Sequence, residues 1–390
     1  MGNSLSSRLS AAIEKLRAKG QYRYLENSSG AQSVNLAIGD RQYLNFCSND
    51  YLGLCNHPAL KQAVSDSVER YGVGAGAAQL LSGRHDVHEQ LEHELAEFTG
   101  YEAALIFSSG YLANIGLISA LVSRHDVVHQ DKLNHASLID AIKLSGAATK
   151  RYPHVDMDAL ERGLISHRER QQWIVTDSVF SMDGDLAPLS EISELARLNT
   201  ATLIVDDAHG IGVLARGQGA RAHFGLGPET LPVVVVTFGK ALGTQGAAIL
   251  GERTLIDFLV QTCRTYIYDT APPPAITAAT SAALAIVRDD LNYNLRLMQN
   301  IDYFKSLCAR RGISPVPSDT PIQPVIFGEE QRALDAAAYL REQGLYLRAV
   351  RPPTVPPGTA RLRICLSAGH KADDIERLVS GLVEVQNRVH

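Results

Sequence analysis

Thr202-Leu-Ile-Val205, running into Asp206-Asp207-Ala208-His209-Gly210, and Pro232-Val-Val-Val-Val-Thr237, running into Phe238-Gly239-Lys240, decide the fold. Each is a short continuous apolar run that breaks into polar residues, the pattern of a strand buried on both faces of a parallel sheet. Working outward, Ala103-Ala-Leu-Ile-Phe107 and Trp173-Ile-Val-Thr176 read the same way, and Leu112 to Val122 lies between them at helical spacing. Strands alternating with helices predict an α/β domain with a mainly parallel sheet in the middle of the chain.

Upstream, Leu60, Val64 and Val68 mark a helix over Pro58 to Tyr71, and Val87, Leu91, Leu95 and Phe98 mark another. Gly72-Val-Gly-Ala-Gly76 lies between them. A dinucleotide fingerprint has to follow a strand and open a helix, and here a helix comes first, so that reading is rejected. Leu5, Leu9, Ile13 and Leu16 predict an amphipathic N-terminal helix packed on the body of the protein. That reading is preferred to N-myristoylation, which Met1-Gly2-Asn3-Ser4-Leu5-Ser6 formally fits.

Beyond Pro272-Pro273-Pro274, a long helical stretch runs to about residue 311. Strand-like Ile322 to Phe327, Leu345 to Leu347 and Leu362 to Leu366 follow, with helices at Ala333 to Arg341 and Ile375 to Val385, a smaller C-terminal α+β domain. The expected division is an N-terminal helical segment (1–45), a large domain (46–285) and a small one (286–390).

The 390 residues carry 37 basic against 42 acidic side chains, a formal charge of −5. A chain with that balance and no basic stripe is a poor nucleic-acid binder. No stretch approaches the roughly 20 apolar residues that cross a bilayer. Cys47, Cys55, Cys263, Cys308 and Cys365 are scattered and never spaced as Cys-x-x-Cys, which predicts reduced thiols, no metal site and a cytoplasmic protein.

Ligands of open α/β sheets sit beyond the carboxyl ends of the strands, where this sequence sets two carboxylates, an imidazole and a lysine. These are the parts a pyridoxal 5′-phosphate (PLP) enzyme requires. Lys240 can condense with the cofactor aldehyde, and Asp206 can keep the ring nitrogen protonated. Gly110 and Tyr111 open a helix whose N-terminus suits a phosphate. His209 can meet the ring hydroxyl, His135 can lie on the ring face, and Ser181 and Thr237 are further polar candidates. Singly, each has a bland explanation in turn chemistry or capping. Their joint placement at the ends of buried runs favours the cofactor.

These residues resemble the α-oxoamine synthases, a PLP-dependent family of the aspartate-aminotransferase-like fold (fold type I). The resemblance runs through Asn45-Phe46-Cys47-Ser48-Asn49-Asp50-Tyr51-Leu52-Gly53, Ser109-Gly110-Tyr111 and Asn134-His135-Ala136-Ser137. It continues through Asp177 to Asp185, Val205 to Gly210 and Thr237-Phe238-Gly239-Lys240. It implies a large domain built on a seven-stranded, mainly parallel sheet, a small C-terminal domain, and a homodimer with sites at the subunit interface.

Leu81-Ser82-Gly83 with His88 to Glu92, and Arg351-Pro352-Pro353-Thr354-Val355-Pro356 with Gly358 to Arg363, resemble the branch that condenses L-alanine with a pimeloyl thioester. In that branch the acyl donor is carried on coenzyme A or on acyl carrier protein, and the step belongs to biotin biosynthesis. The rivals are relatives that use glycine, such as glycine C-acetyltransferase and 5-aminolevulinate synthase, and a catalytically silent homologue. The resemblance also implies that Arg363 meets the amino-acid carboxylate, and that Arg351, Arg23, Asn49 and Thr354 meet the acyl substrate. Thr270 is implied to reach the cofactor phosphate from the other subunit. Asp177 departs from an expected glutamate, and Asp269 stands before Thr270 where a small hydroxyl residue is expected.

Overall fold

The buried runs lie side by side. In the computed structural model, which describes residues 4–388, two short strands come first, β1 (Asn35–Ile38) and β2 (Arg41–Asn45). A large sheet follows, made of β3 (Ala103–Phe107), β4 (Val127–Asp131), β5 (Ala148–Tyr152), β6 (Gln172–Asp177), β7 (Thr202–Asp206), β8 (Val233–Thr237) and β9 (Ala247–Gly251). Its order is β3-β9-β8-β7-β6-β4-β5. β9 is antiparallel to both its neighbours and the other pairs are parallel, so the sheet is mainly parallel, as the continuous apolar runs predict. Every residue of β3, β4, β6, β8 and β9 is buried. Burial of each valine in β8 stabilises the fold by about 1.5–3 kcal/mol.

Helices cover both faces. The first five are α1 (Leu5–Ala18), α2 (Pro58–Tyr71), α3 (Asp86–Thr99), α4 (Gly110–Leu121) and α5 (Ala136–Ser145), of which α4 and α5 contribute residues to the site. Each of α2, α4 and α5 starts at a side chain able to accept a backbone N–H: His57 before α2, Ser109 before α4 and His135 before α5. Pro58 adds a preset φ at the first position of α2. Strands β7 and β8 pair in register so that Asp206 faces Val235, and β6 sets Asp177 beside Asp206. The polar ends of β3, β6, β7 and β8 therefore share one edge of the sheet.

The C-terminal region has a three-stranded antiparallel sheet of β10 (Ile322–Gly328), β12 (Ala349–Val350) and β13 (Ala360–Cys365), in the order β10-β13-β12. Strand β11 (Leu345–Tyr346) instead extends the β1–β2 pair. The segment expected to be helical over 1–45 is, among its described residues, helical only at Leu5–Ala18, and Asn35–Ile38 and Arg41–Asn45 form strands because Leu36, Tyr43 and Tyr346 pack as a small apolar cluster of their own. Helix Pro274–Asp289 crosses the expected boundary at 285 and ends four residues beyond it.

One further expectation is corrected. α1 forms, but it buries none of its residues: Leu5 is 69% and Leu9 54% exposed. Periodicity identifies an apolar stripe without saying what covers it, and none of the described residues does. The first three residues of the acylation pattern lie outside the described residues. In β13, Arg361 is turned inward: it is 3% exposed and pairs with Asp183 at 2.5 Å. No helix among the described residues is long and apolar enough to cross a membrane, and no metal-ligand cluster occurs among them. All five cysteines are free.

Candidate active site

A cavity of about 270 Å³ opens at the carboxyl edge of the large sheet. Eight expected residues line it: Asn49, Gly110, Tyr111, His135, Asp206, His209, Thr237 and Lys240. Ser109, Asn114, Ser137, Asp177 and Gln245 line it too. Of these, Asn114 carries a readable signal, an amide on the buried, otherwise apolar face of α4, four residues past Gly110.

Of the two adjacent aspartates only Asp206 faces the cavity. Its Oδ1 accepts the Ala208 N–H at 2.9 Å and its Oδ2 accepts an Asn114 amide N–H at 2.6 Å. Asp207 turns into the core, accepting from Ser178 Oγ at 2.5 Å and the Ala220 N–H at 2.8 Å, and burial pushes its carboxyl up to about 7. Asp177 is held well above the usual carboxylate range, by burial first and then by the charge of Asp206. It accepts the His135 N–H at 2.7 Å.

Lys240 follows β8 by three residues, and its ammonium is within 3.4 Å of Thr237 Oγ1. Burial lowers its proton affinity, with Asp206 and Asp177 opposing, which favours the reactive free amine. His209 shares its Nδ1 with the Tyr51 hydroxyl at 2.8 Å. Burial, followed by the charges of Lys240 and Arg363, drives it well below the ordinary imidazole range, so it is neutral. Burial also lowers His135.

At the other end of the cavity, the N-terminus of α4 offers backbone N–H groups, and Ser109 Oγ caps it by accepting the Leu112 N–H at 3.3 Å. Gly110 is required there because a Cβ would stand 2.5 Å from Thr237 Cγ2. Tyr111 directs its hydroxyl away, donating to Asp140.

The remaining expected residues lie outside the cavity lining. Arg363 stands just behind Asn49, donating to its Oδ1 at 3.0 Å and to the Ser181 carbonyl. Ser181 is therefore engaged through its backbone. Arg351 donates to the Gly20 carbonyl, and Arg23 and Thr354 are exposed. Thr270 is exposed and bridges Ala78, while Asp269 accepts from Ser108 Oγ at 2.5 Å, beside the start of α4. Arg351, Arg23, Thr354 and Thr270 lie outside the helices, in segments whose approach to the cavity local sequence does not determine.

The aminotransferase class I and II family matches residues 41–382. An 8-amino-7-oxononanoate synthase of Methylococcus capsulatus is 48% identical over 375 residues, covering 96% of this chain and 97% of that one. The chain belongs to the 8-amino-7-oxononanoate synthase family. A solved member of that family from Francisella tularensis superposes with a TM-score of 0.78 at 31% identity, over 89% of this chain and 98% of that one. A serine palmitoyltransferase from S. paucimobilis, solved with bound PLP and myriocin, reaches 0.93 at 26% identity over 99% of both chains. The backbone is shared across both activities, and it is sequence identity that separates the synthase family from the palmitoyltransferase.

The residues present fit PLP, the cofactor of this family. An acid, a lysine and a helix N-terminus surround one cavity, and Asn114 Oδ1 is buried there without a partner among the described residues. The missing Cβ of Gly110 lets the N-terminus of α4 approach Thr237.

Proposed function

We propose that this chain condenses L-alanine with a pimeloyl thioester to give 8-amino-7-oxononanoate, CO2 and the free carrier thiol, a step of biotin biosynthesis. A bond forms between the alanine α-carbon and the acyl carbon, the C–S bond breaks to release the thiol, and the alanine carboxylate leaves as CO2. The observation that carries the reading is the convergence of Lys240, Asp206 and the N-terminus of α4 on one cavity with Arg363 behind its wall.

When bound, PLP supplies an electron-accepting ring that acidifies the α-C–H of the amino acid and takes up the electrons left by CO2. Lys240 would hold the cofactor aldehyde, and its freed amine would move the α-proton. Asp206 would keep a proton on the ring nitrogen, and neutral His209 would meet the ring hydroxyl. Backbone N–H groups of Gly110 and Tyr111, with Thr237, would hold the phosphate. Arg363 docks the alanine carboxylate as a two-pronged donor. His135 closes the cavity and holds the acyl oxygen. Asn49, Arg351, Arg23 and Thr354 serve the acyl chain and its distal carboxylate, and Ser181 fixes Arg363.

Thr270, exposed in one subunit, supports a homodimer in which it reaches the phosphate of the partner. The acyl carrier is coenzyme A or acyl carrier protein, and free thiols suit the cytosol. Mass spectrometry of the product from L-alanine and pimeloyl-coenzyme A tests the reading, with glycine as the competing substrate. Preferential use of glycine would transfer the chain to the rival branch.

A further inference from the structure

We propose that Asn114 and Ser137 are positioning residues that place the ring proton of His135 on Nε2 by linking that ring to Asp206, an inference that rests on the cofactor reading above. Asn114 lies on α4, and its amide nitrogen donates twice, to Asp206 Oδ2 at 2.6 Å and to Ser137 Oγ at 2.9 Å. An ionised carboxylate only accepts, so the end of the amide beside Asp206 is the nitrogen end; the flipped amide would set its oxygen against the carboxylate.

Ser137 Oγ, having accepted from Asn114, has one hydrogen to give, and its other partner is His135 Nδ1 at 2.8 Å. The Ser137 backbone N–H reaches the same nitrogen at 3.3 Å. Two donors aimed at Nδ1 make it the acceptor, and a neutral imidazole with Nδ1 accepting carries its proton on Nε2. Asn114 and Ser137 are each 1% exposed, so bulk water does not compete for these bonds.

The direction of the chain has a chemical consequence. Asp206 receives from Asn114, which gives to Ser137, which gives to His135. His135 then presents an N–H donor to the cavity, suited to holding a thioester or ketone oxygen. It has no free lone pair there to take the α-proton, which leaves that transfer to Lys240. A change at Ser137 acts on the ring of His135, and a change at Asn114 acts on both ends of the cavity wall.

The test is long-range 1H–15N correlation on PLP-loaded protein carrying 15N-labelled histidine, with the His135 signals identified by their loss in His135→Asn. The expected result is a protonated Nε2 and a bare Nδ1 in the wild type. Ser137→Ala is expected to show mixed tautomers and about a tenfold lower kcat, of the size of one lost hydrogen bond to a functional group, with little change in KM for alanine. Ser137→Thr, which keeps the hydroxyl, should recover both. A wild-type proton on Nδ1 would overturn the inference, as would Ser137→Ala with wild-type tautomer and kcat. The wild-type spectrum decides even where a variant fails to fold. Protein that shows the Nε2 proton and makes no 8-amino-7-oxononanoate would refute the functional reading alone; normal product with an Nδ1 proton would refute this inference alone.

Discussion

Arg363 Nη1 donates to Asn49 Oδ1 at 3.0 Å, joining β13 of the C-terminal sheet to the loop after β2. The same guanidinium donates to the Ser181 carbonyl and to Cys365 Sγ, the latter at 2.8 Å. None of these partners is an anion, since burial raises the Cys365 thiol above its ordinary range. A half-buried cation whose acceptors among the described residues are neutral is ready for a carboxylate from outside the protein.

Replacing Arg363 by alanine should raise KM for L-alanine by about 10–100-fold, the worth of a charged hydrogen-bonded pair. Lysine should restore only part of it, because a point charge lacks the fork. Steady-state kinetics with varied alanine at saturating thioester checks this; an unchanged KM would remove Arg363 from the carboxylate site.

Gly110→Ala should weaken PLP retention, because the new Cβ falls 2.5 Å from Thr237 Cγ2. Thr237→Ser removes that methyl and keeps the hydroxyl, so the double variant should hold PLP better than Gly110→Ala alone. Equilibrium binding of PLP across the four proteins measures this coupling. Simple additivity would show that the clash is not what matters.

Much of this arrangement is legible in sequence and some is not. Asp206, His209 and Lys240 can be read because they follow continuous apolar runs, and a buried parallel strand delivers its C-terminal neighbours to one edge. The helix Pro58–Tyr71 coincides with its apolar repeat and its N-terminal proline. Ser181 and Arg363 meet only through a contact 182 residues apart in sequence, between a loop after β6 and strand β13. Local pattern carries no such information. The inward turn of Arg361 likewise depends on Asp183.

His154 anchors that same loop. Its Nδ1 bonds Asp131 at 2.9 Å and its Nε2 bonds Asp185 at 2.8 Å, and the two carboxylates raise it to about 10 against the cost of burial. A folded-state value above the unfolded one means the stabilisation is complete below about pH 6.5 and is lost as pH rises through 10. His154→Gln should cost about 3 kcal/mol near neutrality, because it leaves the buried carboxylate of Asp131 and the partly buried one of Asp185 without their cation. Urea unfolding of both proteins at several pH values should show the gap narrowing toward pH 10. A gap independent of pH would contradict the ion-pair account.

The most direct test of a lysine-anchored cofactor is the visible absorbance of PLP-loaded protein, recorded alone, with L-alanine, and then with a pimeloyl thioester. Wild-type protein should show a visible cofactor band that changes with alanine, and should release CO2 and 8-amino-7-oxononanoate once thioester is added. Lys240→Ala protein should lack both the initial band and the turnover. A Lys240→Ala protein with the wild-type band and rate would contradict the account.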